Sequence, residues 1–213
     1  MPSKPSASTR SNPAKATSPR HIAVVGAGIA GIACARTLMQ AGHQVTVFEK
    51  SRGAGGRMAT RRTEFGSFDH GAQYFTVRDA RFAKVLESAQ RLVRPWSANT
   101  VRILDGAGRV VAASLPPKES HWVATPGMNA LVRHWAQPIQ AAEQLLLETQ
   151  VVRIERDKLH PERWQLQTEG PESSRHVYSG FDQVVLAVPS PQANALLLNS
   201  QLCKTLLTQL SKV

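Results

Sequence analysis

With 213 residues, 42% of them hydrophobic, the chain is long enough for one substantial core or for a core with a smaller lobe. Only two cysteines, Cys34 and Cys203, are present, which excludes a disulfide-framed fold and makes a reducing compartment, the cytoplasm, the expected location. The formal charge of +11 raises nucleic-acid binding, but four of those charges sit in residues 1–20. The others gather around a glycine-rich motif or scatter singly, without the interleaved aromatics of a single-strand binder, so no nucleic-acid partner is expected.

Residues 1–20 hold no acid, almost nothing apolar and many Ser and Pro, and are expected to form a disordered basic tail. They contain no apolar core of a secretion signal; organelle import stays open as a minor alternative, against which the prolines count. No apolar run is long enough for a membrane span.

The run Ile22-Ala23-Val24-Val25 reads as a buried parallel strand. Gly26, Gly28 and Gly31 follow at GxGxxG spacing: the first for a tight turn, the second for close approach of backbone to a pyrophosphate, the third for packing of the next helix on the strand. That helix, from about Ile29 to Gln40, turns the N–H groups of its first residues, Ile29 and Ala30 among them, and its positive dipole end toward the phosphates. Gly42 ends it. Val45–Phe48 reads as a second strand. Glu49 at its carboxyl end, 23 residues beyond Gly26, can accept from adenosine ribose hydroxyls and argues against a 2′-phosphate. The plainer alternatives are a βαβ unit without ligand and, for Glu49, a solvated strand-end carboxylate.

Next come Lys50-Ser51-Arg52-Gly53-Ala54-Gly55-Gly56-Arg57, Met58-Ala59-Thr60-Arg61-Arg62 and Phe68-Asp69-His70-Gly71-Ala72-Gln73-Tyr74-Phe75. This continuation, GGR-x-A-T-R-R … FDHGAQYFT, resembles the FAD-dependent amine-oxidase-like superfamily and, within it, the renalase-like branch, over roughly Ile22 to Val77. The resemblance implies FAD as cofactor, with Gly55, Gly56 and Arg57 on the flavin side of the pyrophosphate, Arg57 pairing a phosphate as a planar fork. It also implies Lys50 and Arg52 near the adenosine, and Gly71, Ala72, Gln73 and Tyr74 close to the isoalloxazine. No catalytic residue is assigned; His70, Gln73 and Tyr74 are the flavin-proximal candidates, His70 serving either backbone support or flavin-site electrostatics. Arg61 and Arg62 are either a solvated pair or phosphate ligands.

From Asp79 to about Val93, Phe82, Val85, Leu86 and Leu92 fall near helical spacing and predict an amphipathic helix. Val101–Leu104 and Arg109–Val111 predict two strands joined by an Asp-Gly turn, followed by Trp122–Ala124 and a helix through Leu131, Val132 and Trp135. Met128 and Asn129, in a PGMNAL segment that also resembles the renalase-like pattern, either line the flavin pocket or serve as core residue and helix N-cap. Leu145–Arg156, Trp164–Thr168 and His176–Tyr178 predict a three-stranded meander, and Asp182–Pro189 a buried parallel strand. The resemblance sets the backbone of Val151 against the adenine.

The expected architecture is α/β: a Rossmann-like FAD-binding domain of the two-dinucleotide-binding type, with a parallel sheet plus β-meander, and a partial inserted α+β substrate lobe. Its divisions are 21–77 and 141–190 for the FAD domain, 78–140 for the first lobe segment and 191–213 for the start of a second. No glycine follows Gly180 to form a closing cofactor turn, so the sequence reads as the N-terminal portion of a longer enzyme. Histidines at 21, 43, 70, 121, 134, 160 and 176 lack ligand spacing, and no metal is expected. The expected function is an FAD-dependent oxidoreductase, renalase-like, moving a hydride from a small-molecule substrate, a reduced NAD(P) species or an amine, to flavin, with oxygen as electron acceptor. The alternatives are an NAD-dependent dehydrogenase, which the Gly55-Gly56-Arg57 segment disfavours, and a catalytically inactive nucleotide-binding fragment.

Overall fold

The computed structural model describes residues 18–97, 101–114, 119–202 and 208–209. Most of the expected tail and the end of the 191–213 segment lie outside the described residues. In chain order the strands and helices are β1 (His21–Val25), α1 (Ile29–Gln40), β2 (Gln44–Phe48), β3 (Thr60–Thr63), β4 (Gly66–Asp69), β5 (Phe75–Thr76), α2 (Ala80–Leu86), β6 (Val93–Pro95), β7 (Val101–Leu104), β8 (Val110–Ser114), β9 (His121–Ala124), α3 (Asn129–Ala141), β10 (Leu145–Leu146), β11 (Gln150–Arg156), β12 (Trp164–Glu169), β13 (Arg175–Phe181), β14 (Gln183–Leu186) and α4 (Ser190–Asn199).

Four strands form a parallel sheet in the order β10-β2-β1-β14, with β1 inside it. Because side chains alternate along a strand, β1 feeds two cores. Val24 joins Ile32, Ala35 and the buried face of α3 on one side; Ala23 and Val25 join Phe48, Ile154, Leu166 and Phe181 on the other. The near-continuous apolar reading of Ile22–Val25 follows from this burial on both faces. The layers are therefore helices α1 and α3, the parallel sheet, and the antiparallel meander β11-β12-β13 with α4 against β11.

Several expectations change. The run Leu145–Arg156 is two strands in two sheets: β10 pairs with β2, whereas β11 opens the meander. The break falls where Glu148 takes a left-handed φ of 52° and Thr149 N–H donates to Glu49 O (2.9 Å), turning the chain off the parallel sheet. Helix α2 stops at Leu86, passing through a short 3₁₀ turn into β6, so Val85 is exposed rather than in the core. Helix α3, within the 78–140 segment, packs along α1, and its Leu131, Val132, Trp135 and Ile139 share a core with Val24, Ile32 and Ala35. Strand β14 is parallel as expected but only half-buried, because among the described residues it is the sheet edge. Residues 75–124 form two small sheets, β5-β9-β6 and the β7–β8 hairpin, whose Asp105 accepts from the N–H groups of Ala107 and Arg109 (both 2.9 Å) to fix the turn.

Candidate cofactor-binding site

The site grows out of the carboxyl end of β1. The chain leaves Val25 through Gly26-Ala27-Gly28 into α1, and the third glycine of the fingerprint is compelled by packing: a Cβ on Gly31 would run into the carbonyl oxygen of Gly26. Helix α1 begins at Gly28 with no side-chain cap and no acid in its first turn. Its first intrahelical donor is Ile32 N–H, bonded to Gly28 O (3.0 Å), so the N–H groups of Ile29, Ala30 and Gly31 are left for an anion.

Glu49 stands beside this turn, 7% exposed. Its Oε2 accepts from Ala27 N–H (2.8 Å) and its Oε1 from Ser51 N–H (2.9 Å), which locks the carboxylate at the end of β2. A carboxylate offers about four lone-pair sites, so two stay open to hydroxyl donors. The open side is a cavity of about 220 Å³, lined by Glu49, Lys50, Val151, Gln192, Leu196 and Asn199 among others. Apolar side chains (Phe48, Val151, Leu196) and polar ones (Glu49, Gln192, Asn199) share its lining.

The second glycine turn folds back onto the first. Gly55 N–H donates to Ala27 O (3.0 Å), Gly28 and Gly55 form a parallel bridge, and a Cβ on Gly56 would stand 3.0 Å from Gly28 Cα. Gly56–Met58 forms a short 3₁₀ turn that leaves Arg57 exposed; no carboxylate pairs with it among the described residues. The third segment closes on the same point: Ala72 N–H donates to Arg57 O (2.7 Å), and a Cβ on Gly71 would collide with that oxygen.

Thus the structure brings together Gly26, Gly28, Ile29, Ala30, Gly31, Glu49, Gly55, Gly56, Arg57, Gly71 and Ala72, with Lys50 and Val151 at the cavity end. Arg52 is 93% exposed and lies 4.0 Å from Glu148. His70 is exposed, on the loop after β4, and Gln73 is exposed beside it. Tyr74 stacks face-on upon His121, ring centres 3.8 Å apart, with Trp96 alongside Tyr74 at 5.8 Å. This aromatic group is invisible in sequence, since it is assembled by the β5-β9-β6 pairing. So is the contribution of α4 to the cavity, through Gln192 and Asn199. Met128 is fully buried, a core residue rather than a pocket wall. Asn129 is the first residue of α3 and not its cap; Asp69 and Thr60 accept from the N–H groups of Met128 and Asn129 instead. Partial burial pushes the Cys34 thiol up, away from the thiolate.

Two family models match the chain: the NAD(P)-binding Rossmann-like domain over residues 24–89, and the flavin containing amine oxidoreductase over residues 111–212. Over these two stretches the chain is similar to the FAD-dependent amine-oxidase-like superfamily. Similar proteins include a 4,4′-diapophytoene desaturase (4,4′-diaponeurosporene-forming) of Staphylococcus haemolyticus, 46% identical over 70 residues, which are 33% of this chain and 14% of that protein. An L-amino-acid oxidase of Gloydius halys is 56% identical over 54 residues, 25% of this chain and 11% of that protein. The aligned segments therefore span only about a tenth to a seventh of these relatives. Among solved structures, a triple mutant of putrescine oxidase superposes with a TM-score of 0.59 at 14% identity, covering 83% of this chain and 59% of that one.

FAD is the cofactor of this superfamily, and the residues present fit it. The uncapped start of α1, the mutually packed glycine turns and the buried Glu49 beside the cavity lie next to one another at the carboxyl ends of β1 and β2. No group of three His, Cys, Asp or Glu placed to hold a metal occurs among the described residues, and no described helix is long and apolar enough to cross a membrane.

Proposed function

We propose that the chain holds FAD with the adenosine in the cavity between β2, β11 and α4, the pyrophosphate over the two glycine turns, and the isoalloxazine toward Gly71–Tyr74. The observation that carries this reading is the pairing of an uncapped helix N-terminus with a buried carboxylate whose two oxygens are fixed by Ala27 and Ser51 N–H groups. The helix end attracts the phosphates, and Glu49 takes the ribose hydroxyls while rejecting a 2′-phosphate. Lys50 and Arg52 lie on the adenosine side, and Val151 offers its backbone to the base. Arg57, exposed and without an ion-pair partner among the described residues, is the phosphate fork.

The activity proposed for the enzyme is a renalase-like oxidation of a small reduced substrate, a reduced nicotinamide species or an amine, with oxygen as the final acceptor. When bound, the flavin ring supplies the two-electron chemistry; the chain binds, orients and shields. His70, Gln73 and Tyr74 are placed by the same loop that touches Arg57, which supports their nearness to the ring.

The test is flavin absorbance of the purified chain after adding FAD and removing the excess. Retained flavin bands are expected, and Arg57→Ala is expected to weaken FAD by roughly tenfold or more, as befits a lost charge-assisted hydrogen bond. A colourless wild-type chain, or retention of NAD in place of FAD, overturns the reading.

A further inference from the structure

Asp69 makes contacts that the cofactor groove does not use. Its Oδ1 accepts from Thr60 Oγ1–H (2.6 Å) and from Met128 N–H (2.9 Å), and Thr60 Oγ1 accepts in turn from Asn129 N–H (3.3 Å). Met128 and Asn129 start α3, which carries no side-chain cap of its own. Two free donors at the helix start are therefore satisfied from outside, by the facing pair Thr60 and Asp69 of the β3–β4 hairpin. The fit is close, since a Cβ on Gly127 would lie 2.6 Å from Thr60 Oγ1.

What the hairpin carries gives these bonds their meaning. Arg57 lies three residues before Thr60, and Gly71 two residues after Asp69. The Ala72 N–H to Arg57 O bond closes the loop between them. On the other side α3 lies along α1, the helix whose N-terminus faces the phosphate position. Asp69 thus links the segment from Gly71 to Tyr74 to the helix layer that holds the other end of the groove. The cavity beside Glu49 and Val151 has no contact with this linkage.

We propose that Asp69 is a positioning residue, which fixes Gly71–Tyr74 against the helix layer and so sets how firmly the flavin half of FAD is held, while the adenosine half is held independently. The proposal rests on the FAD reading given above. Without Asp69, Met128 N–H and the Thr60 hydroxyl lose their acceptor and Gly71–Tyr74 are free to shift, whereas the turn that bears Arg57 stays anchored by the Gly55 N–H bond to Ala27 O and the packing of Gly56 on Gly28.

The experiment compares FAD with ADP, which occupies only the adenosine and pyrophosphate positions, by calorimetric titration of the 213-residue chain. Visible circular dichroism of bound flavin is recorded alongside. Asp69→Ala is expected to weaken FAD about tenfold, to leave ADP within about twofold, and to change the flavin dichroism. Asp69→Asn and Thr60→Ser, which keep the acceptor and the hydroxyl, are expected to restore wild-type values. Equal weakening of FAD and ADP shows a merely structural role and overturns the proposal, as does no change in either. Where Asp69→Ala fails to fold, Thr60→Val removes one hydroxyl at constant shape and carries the same comparison. A wild-type chain that binds ADP but not FAD fails differently, since it overturns the flavin reading before any variant is made.

Discussion

Glu49 illustrates how much one side chain does in this groove. Its carboxylate satisfies the N–H groups of Ala27 and Ser51 from a buried position, so it shapes the first glycine turn before any ligand arrives. Glu49→Ala is expected to raise the FAD dissociation constant by roughly 10- to 100-fold, the range for losing hydrogen bonds to a charged group, measured by calorimetric titration. Glu49→Gln keeps one acceptor and should lose less. At Gly31 the constraint is space: a Cβ would enter the Gly26 carbonyl oxygen, which belongs to the backbone and cannot yield. Gly31→Ala is therefore expected to cost about 1–3 kcal/mol of stability by overpacking, read from urea unfolding, and to displace the turn. These residues are legible in sequence because a local motif fixes them. Asp69 is not: it caps a helix 59 residues further along the chain.

At the scale of elements, the meander depends on the β11–β12 connection, which Asp157 organises. Its Oδ1 accepts from Leu159 N–H (2.9 Å) and His160 N–H (3.3 Å), and its Oδ2 from Gly180 N–H (3.2 Å) on β13. The Leu159 bond foremost, with those to His160 and Gly180, holds this carboxyl below the ordinary carboxylate range. A folded value below the unfolded one, about 3.9, means that the stabilisation is complete at neutral pH and is lost as pH falls through the folded value. The wild-type unfolding free energy is thus expected to drop faster below about pH 4 than that of Asp157→Asn, in denaturation series at several pH values. Elements with a strong period or an adjacent turn, such as β1, α1, β2 and the Asp105 hairpin, were readable directly. The division of Leu145–Arg156 was not, because a leucine run and a valine- and isoleucine-bearing run each read as strand. Only partners distant in sequence, β2 for one and β12 for the other, decide which sheet each half joins. The same holds for α3, whose amphipathic face says that it packs but not that α1 is what it packs on.

Taken as a whole, the molecule should gain stability from its cofactor. The groove proposed for FAD, built from β1, β2, the glycine turns and β11, exists only in the folded chain, so at a free concentration one hundred times its dissociation constant FAD should add about 2.7 kcal/mol to the unfolding free energy. Thermal unfolding at rising FAD concentration checks this; a midpoint independent of FAD contradicts it. The layered α/β architecture was legible from the alternation of strand, helix and meander, while the attachment of Leu86, Ala89, Val93 and Ala124 was not, because the core they share with α3 is built from segments far apart in the chain. The strand order has a further consequence, for how the chain is made. Ile22 of β1 pairs on one side with Val45 but on the other with Gln183. At synthesis rates of about 5–20 residues per second, that flank of the central strand waits on the order of 10–30 seconds for its partner. During this interval an apolar edge is open to other nascent chains, and the second core, which needs Phe181, cannot close. Such dependence on distant pairings predicts slow refolding from denaturant, with yields that fall as protein concentration rises.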